Sequence, residues 1–174
     1  MTVEPYKPEH ATDFEALNRA WLVANGLLEP ADEPHLTNPD DTIIATGGQI
    51  FVAIESGTVV GTCAIVPHGP GEFEVAKLAV SPGCQGRGIG RQLVDASVNF
   101  ARTRGAERIT LLSSSRLGPA LRLYERAGFT YAPLPPTDPF ATADVHMILH
   151  LRPDGGASNS GITGFTEGAP LDGR

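Results

Sequence analysis

The chain has 174 residues, of which 41% are hydrophobic and 19% charged, and a globular chain of this length buries about two thirds of its unfolded surface without a disulfide or a metal. Aspartate and glutamate outnumber lysine and arginine 20 to 13, for a formal net charge of -7, which argues against a nucleic-acid partner because phosphate backbones demand clustered positive charge. No window approaches the ~20 apolar residues of a membrane span, so no membrane partner is expected either.

The opening residues Met1-Thr2-Val3-Glu4-Pro5-Tyr6-Lys7 lack a basic stretch followed by an apolar one, and no signal peptide is read there. Cys63 and Cys84 do not form a CxxC pair and fit free thiols in a reducing cytoplasm. Residues 3–6 read as a short strand. Over residues 9–24, Phe14, Leu17, Trp21 and Leu22 recur at helical spacing, with Gly26 as the stop. Residues 29–41, rich in Pro, Asp and Glu, read as a loop with a short helix near His35 and Leu36.

Residues 49–54 and 58–66 are β-rich runs joined by Glu55-Ser56-Gly57, a hairpin signal. Residues 67–71 read as a breaker cluster. Residues 72–80 form another strand, with Phe73, Val75, Lys77 and Ala79 expected on one face and the even positions on the other. Residues 90–104 make the strongest helix, with Ile89, Leu93, Ala96 or Ser97, and Phe100 along one side and Gly105 just past its end. A strand at 108–112 precedes a second helix, with Pro119 in its first turn, Leu117, Leu121 and Tyr124 on one face and Gly128 as its stop. Residues 129–132 and 144–151 read as closing strands around a proline-rich loop at 133–139. The domain is expected to span residues 1–152, with 153–174 as a flexible Gly/Ser-rich tail that cannot bury enough apolar surface to offset its ordering. The order of elements predicts an α/β (α+β) fold with a central mixed sheet flanked by helices.

Between the strand at 72–80 and the following helix lies the turn Gln85-Gly86-Arg87-Gly88-Ile89-Gly90. Glycines let a backbone curl so that several N–H groups converge, and a helix start adds unpaired N–H groups and a positive dipole end. Arg87 and Arg91 can add charge at the rim. The segment is suited to phosphate or pyrophosphate, although a glycine-rich turn without a ligand has the same composition. It is neither a dinucleotide fingerprint, since the sixth position from Gly86 is Arg91, nor a Walker A loop, since no GK followed by Ser or Thr occurs. The five histidines have no metal-ligand spacing, and no metal site is expected.

The turn resembles the [Arg/Gln]-x-x-Gly-x-[Gly/Ala] motif of the GNAT superfamily of acetyl-CoA-dependent N-acetyltransferases. Leu78-Ala79-Val80-Ser81-Pro82 looks like the end of that family's central strand. Some 30 residues after the turn, Ala120-Leu121-Arg122-Leu123-Tyr124-Glu125-Arg126-Ala127-Gly128-Phe129 is similar to its A-x-x-L-Y-x-x-x-G-F segment. Together these stretches cover roughly residues 72–129. The resemblance implies acetyl-CoA as cosubstrate. Backbone N–H groups of Gln85, Gly86, Arg87, Gly88, Ile89 and Gly90 would hold the pyrophosphate with Arg91 beside them. Leu78, Ala79 and Val80 would line the pantetheine in a sheet that splays open beside this strand, and Tyr124 would face the CoA sulfur. Many relatives carry Asn after the fifth strand, where this chain has Ser113-Ser114-Ser115; Ser115 is the expected cofactor contact there.

Acetyl transfer requires a neutral amine, although a free alkyl amine titrates near ~10.4, and the departing thiolate, which titrates near ~8.5, needs a proton. Glu74 is the candidate general base, with Glu72 in reserve, and Tyr124 the candidate general acid. A solvated strand charge, or a partner for Lys77 or an arginine, remains the alternative for Glu74, and a core aromatic the alternative for Tyr124. Trp21, Glu29 and Asp32 flank the expected acceptor side. The acceptor is expected to be a small-molecule or peptide amine. Two non-enzymatic alternatives stay open: an acyl-CoA-binding or sensing module of the same fold, and a nucleotide-phosphate binder of another family. A homodimer through outer strands or helices, common in that superfamily, is also left open.

Overall fold

The computed structural model describes residues 1–137 and 140–151, so the expected tail at 153–174 and two residues of the proline-rich loop lie outside the described residues. The strands are β1 (Thr2–Pro5), β2 (Gln49–Glu55), β3 (Thr58–Gly69), β4 (Glu72–Val80), β5 (Arg108–Ser113), β6 (Thr130–Ala132) and β7 (Val145–His150). The α-helices are α1 (Ala11–Ala24), α2 (Glu33–Thr37), α3 (Ile89–Thr103) and α4 (Gly118–Arg126). One seven-stranded sheet runs in the order β1-β2-β3-β4-β5-β7-β6, and only the β4–β5 pairing is parallel. The mixed sheet expected from the order of elements is therefore present. Among the described residues no helix is long and apolar enough to cross a membrane.

Both faces of the sheet are covered. On one, the α3 stripe Ile89, Leu93, Val94, Val98 and Ala101 packs with Ile65, Phe73, Val75, Ile109 and Leu111. On the other, Phe14 of α1 packs with Ile43, Ile50, Val52 and Ala64. Phe14, Ile50 and Leu93 are wholly buried, and removing each such side chain from water contributes about 1.5–3 kcal/mol. The β2–β3 hairpin closes through Ser56 and Gly57, whose φ values of 50° and 78° are those of a two-residue turn that matches strand twist.

Two sequence expectations need correction. The stretch 67–71 does not break the chain at Pro67, because β3 continues to Gly69 with Pro67 opposite Phe73. The β2 ladder has already ended at Ile65, so the missing proline N–H falls where no strand waits for it. The second correction concerns β4. Lys77 has φ 51°, and the register with β3 shifts between Thr62↔Ala79 and Ala64↔Ala76, the signature of a β-bulge. The extra residue inverts the alternation, so Leu78 and Val80 pack against the same core cluster as Phe73 and Val75. The even positions of β4 thus do not share one face.

The bulge is held by a buried polar chain. The Thr62 hydroxyl donates to the Lys77 carbonyl at 3.1 Å, and the Asn18 amide of α1 donates to Thr62 Oγ1 at 2.9 Å and to the Phe14 carbonyl at 2.9 Å. Thr62 and Asn18 are both buried. An unmet carbonyl there would cost about 1–3 kcal/mol, which this chain of bonds avoids.

Candidate active site

The site begins where the sheet comes apart. The β4–β5 ladder contains only Glu72↔Arg108, Phe73↔Ile109 and Glu74↔Thr110, while β5 stays paired with β7 through Ser113↔Val145. Beyond Glu74 the parallel strands part, and between them lies a cavity of about 310 Å³. Leu78 of β4, Ser113 of β5, Leu117 and Tyr124 of the α4 segment, and Trp21 of α1 are among its walls.

Tyr124 is buried and stacks edge-on against Phe129, 5.9 Å between ring centroids. Burial pushes its phenol above the ordinary value of 10, with the neighbouring Cys63 thiol adding to the effect. The phenol therefore keeps its proton throughout the neutral range, as an acid must. Glu74 lines the same cavity. Its Oε2 lies 3.1 Å from Nδ1 of His68, whose Nε2 lies 3.9 Å from Glu72. Glu72 in turn is engaged by Arg108 across the β4–β5 start. Lys77, named as one alternative partner for Glu74, has its Nζ 2.6 Å from Asp32 Oδ1 instead.

At the far end of β4, the turn at residues 85–88 is exposed and Ile89 is buried. Gly86 and Gly88 have φ of 75° and 78°, and a Cβ at either would meet no atom within 4 Å, so the glycines serve backbone conformation and leave open space above the turn. Gly88 is the residue before α3, and its carbonyl accepts from the Gln92 N–H at 3.2 Å. The N–H groups of Ile89, Gly90 and Arg91, one turn earlier, have no acceptor within the helix. A Cβ on Gly90, by contrast, would lie 2.9 Å from Leu123 Cδ1, so a side chain there would have to displace the end of Leu123 of α4.

The remaining predicted residues have other partners. Arg87 forms a two-pronged pair with Glu55, at 2.6 and 2.9 Å, which holds the Glu55 carboxyl below its usual range. Arg91 pairs with Asp95 at 2.8 Å and donates to the Arg126 carbonyl at 2.9 Å, joining α3 to the end of α4. Gln85 Nε2 donates to the Val80 carbonyl at 3.1 Å. Ser115 is exposed, and both its N–H and hydroxyl donate to Asp144, at 2.6 and 2.5 Å. Ser113 and Ser114, not Ser115, line the cavity.

Opposite Tyr124 the wall contains residues that the sequence reading did not join. Asp32, His35, Lys77 and Phe140 meet there, with Lys77 Nζ 5.4 Å from the centre of the Phe140 ring. Burial, with a further push from the Lys77 ammonium, lowers the His35 pKa below 6.5. Trp21 and Asp32, expected on the acceptor side, do line the cavity. The sequence carried one usable sign of this cluster: a lysine at an inward position among Phe73, Val75 and Ala79.

A sheet parted after three parallel pairs, with a glycine turn and helix start at the end of the parted strand, is what the resemblance to acetyltransferases implies. The model of the acetyltransferase (GNAT) family matches residues 12–129, and the chain belongs to that family. It is 29% identical over 150 residues to an uncharacterized N-acetyltransferase of Schizosaccharomyces pombe, covering 83% of this chain and 88% of that one. It is 44% identical over 57 residues to a mycothiol acetyltransferase of Beutenbergia cavernae, a match that spans 33% of this chain and only 19% of that protein. The fold superimposes with a TM-score of 0.71 on a GNAT superfamily phosphinothricin acetyltransferase from Sinorhizobium meliloti solved in complex with acetyl-CoA, at 18% identity and covering 86% and 88% of the two chains.

Proposed function

We propose that the chain is an N-acetyltransferase that moves an acetyl group from acetyl-CoA to a primary amine by direct attack, with Glu74 as general base and Tyr124 as general acid. The observation that carries this reading is the single cavity, opened by the parting of β4 from β5, that both residues line. The family match and the acetyl-CoA held by the Sinorhizobium meliloti enzyme support the choice of cosubstrate.

The residues present fit that group. The open space above Gly86 and Gly88, followed by the N–H groups that start α3, suits a pyrophosphate. Backbone groups at 78–80 lie on the edge that β5 has left and would pair with the pantetheine amides, and Arg91 and Gln85 steady the two ends of the turn. Bound acetyl-CoA supplies the acetyl group as an activated thioester. Near pH 7 an amine of pKa ~10.4 must give up a proton at a cost of about 5 kcal/mol. Glu74 takes that proton, and the His68 ring at 3.1 Å offers it a way to the surface. As the new C–N bond forms and the C–S bond breaks, Tyr124 would donate its proton to the departing sulfur, and the second proton shed by the nitrogen would return to the Tyr124 phenolate through water. Free thiols at Cys63 and Cys84 fit a cytoplasmic setting.

The test is calorimetric titration of the purified protein with acetyl-CoA, with ADP and pantetheine as controls. Saturable binding that a bulky substitution of Gly88 removes, followed by amine-dependent thiol release that Glu74→Gln and Tyr124→Phe each reduce, supports the enzyme. Retained binding with no turnover on any amine supports a binding module instead, and no binding by folded protein overturns both.

A further inference from the structure

Lys77 is the one position where β4 departs from regular strand geometry, and the departure aims a cation into the cavity. Regular alternation would have sent its side chain among Phe73 and Val75 in the core. The bulge, at φ 51° and secured by Thr62 and Asn18, turns it towards the opposite wall. There its side chain is 7% exposed and pairs with Asp32, itself 4% exposed. Non-glycine residues held at positive φ cluster at functional sites.

The hydrogen-bond inventory of this pair is lopsided. Asp32 uses both oxygens, Oδ1 for Lys77 at 2.6 Å and Oδ2 for the Glu29 N–H at 2.9 Å. The ammonium has three donors, and among the described residues Asp32 is the one acceptor it meets; the Phe140 face at 5.4 Å takes no strong hydrogen bond. Among the described residues, the other two N–H groups of this side chain, more than nine-tenths buried on the cavity wall, thus meet no hydrogen-bond acceptor. His35 beside them, its pKa lowered, adds no positive charge at neutral pH. The second carboxylate of the cavity, Glu74, lies three residues back along β4, while the first, Asp32, is already paired with Lys77.

We infer that Lys77 is the specificity-determining residue of the acceptor subsite and receives a carboxylate on the acceptor, so that the amine acetylated belongs to the amino-acid class. This rests on the acetyltransferase reading and names the substrate class of the same site. The amine lies towards Glu74 and the carboxylate towards Lys77, each end facing the opposite charge. Asp32 fixes the ammonium and offsets its charge when no carboxylate is present.

The experiment compares α- and ω-amino acids with the amines that lack only their carboxylate, at pH 7.5, by thiol release and by calorimetric titration of the CoA-loaded protein. It uses the wild type, Lys77→Gln, and Lys77→Met combined with Asp32→Asn, the last removing both charges together so that no buried carboxylate is stranded. The expected result is that the best carboxylate-bearing acceptor exceeds its partner amine at least ten-fold in kcat/KM. That preference should fall to within two-fold in the double variant through a rise in acceptor KM, with acetyl-CoA affinity unchanged. Wild-type protein that uses the plain amines equally well or better overturns the inference, as does a double variant that keeps the preference. If no amine is turned over, the acetyltransferase reading fails by itself. Titration then decides the carboxylate subsite: ten-fold tighter, Lys77-dependent binding of amino acids upholds it, and equal binding overturns it.

Discussion

The Glu29 carboxylate reaches 113 residues along the chain to Thr142, accepting from its hydroxyl at 2.9 Å and its N–H at 3.4 Å, and from the Ala141 N–H at 2.9 Å. Three residues later Asp32 grips Lys77 of β4. One short turn therefore ties together the two arms of the parted sheet, β4 on one side and the segment leading into β7 on the other, and roofs the cavity between them. Replacing Glu29 by Ala strands three donors, and each lost bond is worth about 0.5–1.5 kcal/mol or somewhat more to a charged acceptor. Urea denaturation should show a loss of about 1–3 kcal/mol, and the acceptor KM should rise while acetyl-CoA affinity holds.

Tyr124→Phe removes only the hydroxyl, and the ring contact with Phe129 remains. Thermal stability should stay within about 0.5 kcal/mol of wild type, as expected of a change that opens no cavity. General-acid catalysis contributes about 10²- to 10⁴-fold, so kcat should fall by that order with acetyl-CoA binding intact. Because burial raises the phenol above 10, the wild-type rate should show no alkaline fall from this group below about pH 10. A pH–rate profile of the two proteins checks both points.

His35 gives a stability prediction in the acid range. Its folded pKa is depressed, first by burial and then by Lys77, so between that value and about 6.5 the unfolded chain binds more protons than the folded one. The contribution is present above about 6.5 and is lost as pH falls through the folded value. Melting temperature should decline as pH falls below about 6.5, and His35→Gln should flatten the decline. A variant with the same slope as wild type would remove His35 from the account.

Gly90 and Leu123 provide a packing test. A Cβ on Gly90 meets Leu123 Cδ1 at 2.9 Å, so Gly90→Ala should cost up to about 1–3 kcal/mol by overpacking. The clash is with the end of a side chain, and Leu123→Val in the same protein should recover part of the loss. Single and double variants compared by urea denaturation give the coupling between the start of α3 and the second half of α4 directly.

The turn at 85–90, the strand before it and the Leu121–Tyr124 helix were legible in the primary sequence, because glycines at forced φ values, apolar periodicity and helix stops are local properties. The family followed from two such motifs in register. The bulge was not legible. It depends on a threonine 15 residues upstream of Lys77 and an asparagine 44 residues before that threonine, and a carbonyl freed from the ladder is tolerated only when folding brings both to it. Lys77 therefore read as a residue of the Phe73, Val75 and Ala79 face or as a partner for Glu74, until the inverted alternation turned it to Asp32. Ser115 looked like a cofactor contact, but Asp144, 29 residues further on, takes its hydroxyl. Local chain stiffness and periodicity specify elements from within a dozen residues. Which charges meet in the cavity is set by where those elements come to rest, since a desolvated ion pair forms only between groups the folded sheet has already brought within reach.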